Sequence, residues 1–337
     1  MNTTDKNRRN FLKFSSAGAA AALLGSTGLL SWTPRAHAAT ITQTFYITEG
    51  FLTQPDGVDV YFRGFSPDAS SLTVPGAQMI VQEGDTVRIT IVNTLGTSHR
   101  FKIDGVVDSG SISGGQSKTI QFTPTTAGTY LYYDSSNAPY NRLSGLHGGF
   151  AVMPQGSSTE LYSGSPRFVQ QYFWVFHDID PVWNNAIRNG NTPSTKYSPR
   201  YFTLNGLSAR PPGAPGAHDP NIDAMTDPRS ALHGHIGDRT LVRILNPGKC
   251  QQSVHTHGNH MEWITDHGRI LPDVWKKDAI YLEANGQLDV IYPFETPPDA
   301  WPPVSTGIYP MHLHTEMSQT AGGGLYMFGA LTDIYFE

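Results

Sequence analysis

Two pairs of histidines dominate what this sequence could do chemically. His255 and His257 stand in VHTHG, and His312 and His314 in GIYPMHLHTEM. In an extended chain, side chains two residues apart project from the same face, so each pair offers two imidazoles to one place. If the two segments lie on neighbouring strands, four imidazoles converge. Burying such a cluster without a metal or hydrogen-bond partners is unfavourable. Nitrogen-rich, thiolate-free ligation suits Cu(II), Zn or Ni, and the Irving–Williams order favours copper. One pair alone reads as well as a surface feature; two pairs at corresponding places favour a metal.

The elements that must position these rings are strands. The chain has 34 glycines and 24 prolines and no long stretch of helical period, which points to an all-β fold. It also repeats itself. GDTVRITIVN (Gly84 to Asn93) is answered by GDRTLVRILN (Gly237 to Asn246), and VYFRG by YFTLNG. GGQSKTIQFTP is answered by NGQLDVIYPFETP, and GTYLYYDS by GIYPMHLH. Matched blocks in one order mean two copies of one β-domain, each a sandwich or barrel. The copies are expected at 39–155 and 165–337, with the boundary in the Ser/Gly/Pro-rich stretch Met153 to Arg167. The proline-rich stretches 210–220 and 296–307 read as loops. Superposing GTYLYYDS on GIYPMHLH puts Tyr133 on His312 and Ser135 on His314, so only the second copy carries paired histidines there. At the other strand the first copy has the single His99.

The first 38 residues resemble a twin-arginine signal. Arg8 and Arg9 precede Phe11, Leu12 and Lys13, an Ala-rich apolar run follows, and AHA at Ala36 to Ala38 resembles a cleavage site. The twin-arginine export machinery is therefore an expected partner and the periplasm the expected location. No other stretch approaches the ~18 apolar residues of a membrane span. Removing the signal takes five basic residues and one acid, leaving 18 basic against 27 acidic, a net charge near −9. Such a surface argues against nucleic acid or an anionic membrane as partner. The single cysteine, Cys250, excludes a disulfide framework and multi-cysteine zinc sites, and is expected to be a buried free thiol.

HTHG followed by WKKDAIYLEANGQLDVIYPF and YPMHLHTEM resembles the last cupredoxin domain of a multicopper oxidase. GDTVRITIVN, GTYLYY and SGLHGGFAVMP resemble the first domain of that family. The resemblance covers nearly the whole exported chain and implies two cupredoxin-like Greek-key β-sandwiches. It implies that His255, His257, His312 and His314 are half of a trinuclear copper cluster. It also implies a mononuclear copper fed through a cysteine, but that position is Leu313, and the flanking histidine positions are Gln252 and Ser318. The histidine pair expected in the first domain is Tyr133 and Ser135.

One or two copper ions are thus expected on the four histidines, with His99, His147 and Asp134 as further candidate ligands and the first domain as a wall of the site. Tyr132 and Tyr133 read as packing aromatics. Glu316 could orient a histidine or face solvent, His260 and Glu262 read as supporting or surface groups, and His233 and His235 read as a loop. No residue is assigned a catalytic role. The expected function is a copper-dependent oxidoreductase without the cysteine-ligated site, acting on dioxygen or a small molecule. The rivals are a non-catalytic structural or cell-division protein of the same fold, and a copper carrier. A homo-oligomer is also in view, since two-domain relatives can share copper sites between subunits.

Overall fold

A computed structural model describes residues 33–209, 225–298, 300–326 and 328–337, with the backbone alone at 325 and 326. Residues 1–32 of the signal and the loop expected at 210–220 lie outside the described residues. The stretch between residues 294 and 306 carries no strand where it is described, as its prolines require.

The N-terminal half contains β1 (Thr40–Thr53), β2 (Asp59–Ser66), β3 (Gly76–Gln82), β4 (Thr86–Asn93), β5 (Lys102–Ile103), β6 (Val107–Asp108), β7 (Ser117–Phe122), β8 (Gly128–Tyr133), a short helix α1 (Tyr140–Leu143) and β9 (His147–Met153). The C-terminal half contains β10 (Gln170–Ile179), helix α2 (Pro181–Arg188), β11 (Tyr201–Leu204), β12 (Leu232–Gly234), β13 (Arg239–Leu245), β14 (Gln252–Thr256), β15 (Met261–Asp266), β16 (Arg269–Lys277), β17 (Ala279–Leu282), β18 (Gln287–Pro293) and β19 (Gly307–Leu313). A small hairpin, β20 (Thr320–Ala321) with β21 (Leu325–Tyr326), and β22 (Leu331–Phe336) complete it.

The strands form the all-β Greek-key sandwiches expected, and the sequence repeat is also a repeat of topology. One N-terminal sheet has the order β2-β1-β4-β7, and its C-terminal counterpart begins β11-β10-β13-β18 before adding β15 and β16. In each, the first pair is antiparallel, the second parallel and the third antiparallel. The other two sheets run β3-β9-β8-β5-β6 and β12-β22-β19-β14-β17 and match in the same way, each opening with a parallel pair. Alternation explains the strands locally. In β4, Val87, Ile89 and Ile91 point inward while Arg88 and Thr90 point out.

The sheets stack as four layers with three apolar fillings. Ile47, Ile89, Phe101, Tyr132 and Phe150 fill the N-terminal sandwich. Trp174, Val254, Val290, Leu313 and Ile334 fill the C-terminal one. A third filling, with Leu131, Met153, Phe173, Leu241 and Ile291, joins the β8–β9 face to the β10–β13–β18 face. Gly149 makes that approach tight, since a Cβ there would lie 2.8 Å from the Phe173 ring. The fourth layer, β12-β22-β19-β14-β17, lies across the C-terminal filling from the β10–β13–β18 sheet.

Candidate metal centre

Strands β14 and β19 pair antiparallel, with His255 directly opposite His312. Val254, Thr256, Met311 and Leu313 alternate with them and are buried in the sandwich. The period of two thus turns His255 and His312 to the outer face of the last layer. His257 and His314 lie just past the strand ends. The His257 amide donates to the Pro310 carbonyl at 3.0 Å and the His314 amide to the Ser253 carbonyl at 2.8 Å, which carries the alternation one step further. Gly258 then turns the chain away with φ of 80°.

The four rings lie together. The His255 ring centre is 4.6 Å from that of His257, 5.1 Å from His312 and 4.3 Å from His314. His312 is 5.3 Å from both His257 and His314. Donor nitrogens of His255, His257 and His312 all lie within 4.8 Å of one another; His314 stands beside that group of three. His255 directs Nδ1 at the Asp278 carbonyl, 3.0 Å away, which leaves Nε2 free. The Nε2 atoms of His257 and His312 are 3.1 Å apart. Two nitrogens bound to one ion at about 2.0 Å, at right-angled to tetrahedral angles, stand about 2.8–3.3 Å apart, so this pair fits a single ion. Burial, and then the neighbouring imidazoles, hold His255 below the usual histidine range; burial does the same to His312. Both are thereby kept in the neutral, ligating form. The site is open, with His257 and His314 exposed.

The N-terminal candidates do not join it. His99 directs Nδ1 at the Asp134 carboxylate, 2.6 Å away, and both side chains are fully buried. His147 gives Nδ1 to the Arg142 carbonyl and packs edge-on against His177, with ring centres 4.5 Å apart. Among the described residues, the group of His255, His257 and His312 able to hold a metal includes none of His99, Asp134 and His147. The N-terminal half meets the C-terminal sandwich through the β10–β13–β18 face, and its β2 also packs with Ala321 and Phe328 beyond the last histidine pair. His177 was not among the expected residues; nothing in its local sequence sets it apart from any polar strand residue.

A family model described as multicopper oxidase matches residues 71–157, and one for the twin-arginine translocation signal matches residues 7–25. The copper-containing nitrite reductase of Alcaligenes xylosoxydans xylosoxydans is 21% identical over 67% of this chain and 70% of its own length. That of Cereibacter sphaeroides is 24% identical over 63% of this chain and 58% of its own length. Among solved structures, the multicopper oxidase mgLAC superposes with a TM-score of 0.69 at 21% identity, covering 88% of this chain and 86% of that one. The blue copper oxidase of Nitrosomonas europaea gives 0.68 at 19% identity, over 88% and 85%. The chain has the cupredoxin-like fold of these multicopper oxidases and nitrite reductases, and residues 71–157 match the multicopper oxidase model. Its twin-arginine signal supports export to the periplasm, and no helix among the described residues is long and apolar enough to cross a membrane.

In this chain the positions that the resemblance assigns to a mononuclear copper hold other groups. Leu313 is part of the sandwich core, Gln252 is buried with its Oε1 unpartnered, and the Ser318 hydroxyl donates to the Thr315 carbonyl. Cys250 is half-buried rather than buried. Burial and the adjacent Asp178 carboxylate push its thiol up to about 12, so it is protonated at neutral pH. Glu316 and His260 are exposed, and Glu262 is taken by Arg239 and Lys276. Tyr132 is a core residue donating to the Ala77 carbonyl, and Tyr133 donates to Asp104. His233 is on strand β12, not in the expected loop, because its ring stacks on Tyr335 at 4.5 Å and its Nδ1 meets Glu337.

Proposed function

We propose that the protein is an exported copper-dependent oxidoreductase that holds copper on His255, His257, His312 and His314, without a cysteine-ligated copper centre. The observation that carries this reading is the convergence of three imidazole donors within 4.8 Å, with His314 beside them. The names of the relatives, copper-containing nitrite reductase and blue copper oxidase, support copper over zinc or nickel. Bound there, copper would supply one-electron chemistry and an open position for a small molecule such as dioxygen or nitrite. The chain's own part is to fix the rings. Asp278 sets the His255 tautomer, the β14–β19 register sets the spacing, and the buried alternates Val254 and Leu313 anchor the strands.

We further propose the domain partition 39–155 and 165–337. In this reading, N-terminal groups that complete the copper sphere come from a second copy in a homo-oligomer. Metal analysis and paramagnetic resonance of the purified protein test the reading. Bound copper in stoichiometric amount, with no intense blue absorption band, is the expected result. His255→Ala with His312→Ala is expected to abolish copper uptake while leaving the β circular dichroism signal unchanged; undiminished copper in that variant defeats the assignment. The exposure of His257 and His314 favours a copper carrier as the second reading, which predicts rapid loss of copper to a chelator. Failure to take up copper at all would leave the non-catalytic structural reading.

A further inference from the structure

Thr97, His99 and Asp134 form a hydrogen-bonded line from a surface cleft into the N-terminal half. Oδ1 of Asp134 accepts from the Arg100 amide at 3.1 Å, the Ser136 amide at 2.7 Å and the Ser136 hydroxyl. Its Oδ2 accepts from Asn141 Nδ2 at 2.9 Å and meets His99 Nδ1 at 2.6 Å. Asp134 Oδ2 accepts from His99 Nδ1–H, and in the neutral tautomer that this contact selects, Nε2 keeps its lone pair. That lone pair lies 3.0 Å from Thr97 Oγ1, and the hydroxyl donates into it. His99 is fully buried, whereas Thr97 is exposed.

Thr97 opens on a cleft of about 330 Å³, also lined by Arg63, Tyr140, Asn141 and Ile187. Arg63 is itself 8% exposed. Its Nε donates to the Tyr61 hydroxyl at 2.9 Å and pairs with the Glu49 carboxylate at 3.6 Å, and its Nη1 donates to Asn141 Oδ1 at 3.3 Å, so the guanidinium is held in place beside the cleft. Hydroxyl, imidazole and carboxylate stand in the relation of nucleophile, base and orienting group. A structural role accounts for a buried His–Asp pair; it does not require the remaining nitrogen to meet an exposed hydroxyl beside a buried cation.

We propose that this cleft is a second, metal-independent site that hydrolyses small esters carrying an anionic group. Thr97 Oγ1 forms a bond to the acyl carbon while its proton passes to His99 Nε2. The ester C–O bond then breaks, and the departing alkoxide takes that proton. Water repeats the sequence on the acyl-threonine, releasing the carboxylic acid and restoring the hydroxyl. Asp134 is a positioning residue that holds the His99 tautomer, and Arg63 faces the anionic part of the substrate.

The test uses the full exported chain, treated with chelator, and p-nitrophenyl esters of acetate and of succinate. A burst of nitrophenol, an acyl mass on the peptide containing Thr97, and preference for the succinate ester are expected. Thr97→Val, at an exposed position that should not disturb folding, is expected to lose the adduct and to slow turnover by about 100-fold. Asp134→Asn should lower kcat more than it raises KM, whereas Arg63→Lys should raise KM for the succinate ester alone. Chelator-treated and copper-loaded protein should hydrolyse at the same rate, which separates this site from the copper reading. Acylation on Ser98 or elsewhere, or unchanged turnover in Thr97→Val, overturns the proposal.

Discussion

An imidazole that gives one N–H to a carbonyl has a single nitrogen left to offer, and that rule organises the histidines here. His255 spends Nδ1 on Asp278 and keeps Nε2 for the cluster. His147 and His177 spend one nitrogen each on the Arg142 and Leu143 carbonyls, and the remaining nitrogens are buried without a partner. The proposed copper site makes a graded prediction at this scale. His257→Ala removes a nitrogen 3.1 Å from His312 Nε2 and is expected to weaken copper binding by about tenfold or more. His314→Ala, outside the group of three, should weaken it less. Competition with a chelator of known affinity measures both, and equal losses would contradict the geometry. The four residues of this cluster could be picked from spacing alone. His177 could not, since its partner His147 is thirty positions away and only folding brings them together.

At the scale of elements, the repeat predicted which strands correspond, and their topology agrees. Helix α2 was not foreseen, because eight residues are too few to show a period against a β-rich background. Its signal was nevertheless present. Asp180 precedes Pro181, and Trp183 and Ile187 stand four apart on the buried side. Asp180 accepts from the Val182 and Trp183 amides and from the Ser198 amide. Asp180→Ala is therefore expected to cost about 1–2 kcal/mol, read as a lower urea midpoint at unchanged slope. His233 makes the opposite point: a glycine beside it suggested a loop, and stacking on Tyr335 from the chain's far end held it in a strand.

The whole molecule is held at its middle layer by a polar lock as well as by apolar filling. Arg243 and Asp289 are register partners on β13 and β18, both fully buried. Thr129 of β8 receives Arg243 Nη1 at 2.8 Å and donates its hydroxyl to Asp289, so the lock spans the two halves. Burial pushes Arg243 down to about 10 and Asp289 up, so desolvation outweighs the pairing on each side. Arg243→Met should therefore destabilise by about 3–5 kcal/mol, and adding Asp289→Asn should restore much of it, as urea unfolding would record. Acid should act at the same junction. Burial lowers His177 to about 4 and His147 well below its usual range, so the unfolded chain takes up protons that the folded chain refuses. Stability from His177 is complete above about 6.5 and is lost as pH falls toward about 4, by about 1.4 kcal/mol per pH unit, and His147 acts in the same direction. His177→Gln, which can still donate to Leu143, should flatten that dependence; an unchanged slope would refute the assignment.

Sequence alone determined what is local or periodic: the strand alternation, the doubling of the β-unit, the export signal and the two histidine pairs. These follow from side-chain direction in an extended chain and from repeated spacing, neither of which needs the fold. Only the tertiary structure decided which surfaces face each other. The filling between the β8–β9 and β10–β13–β18 faces set which surfaces of the two halves meet. The same packing set His99 against Asp134 and Thr97, and His147 against His177. The physical reason is that the outward faces of all four sheets look alike in a sequence, and the choice of which two are buried against each other rests on the total apolar area removed from water.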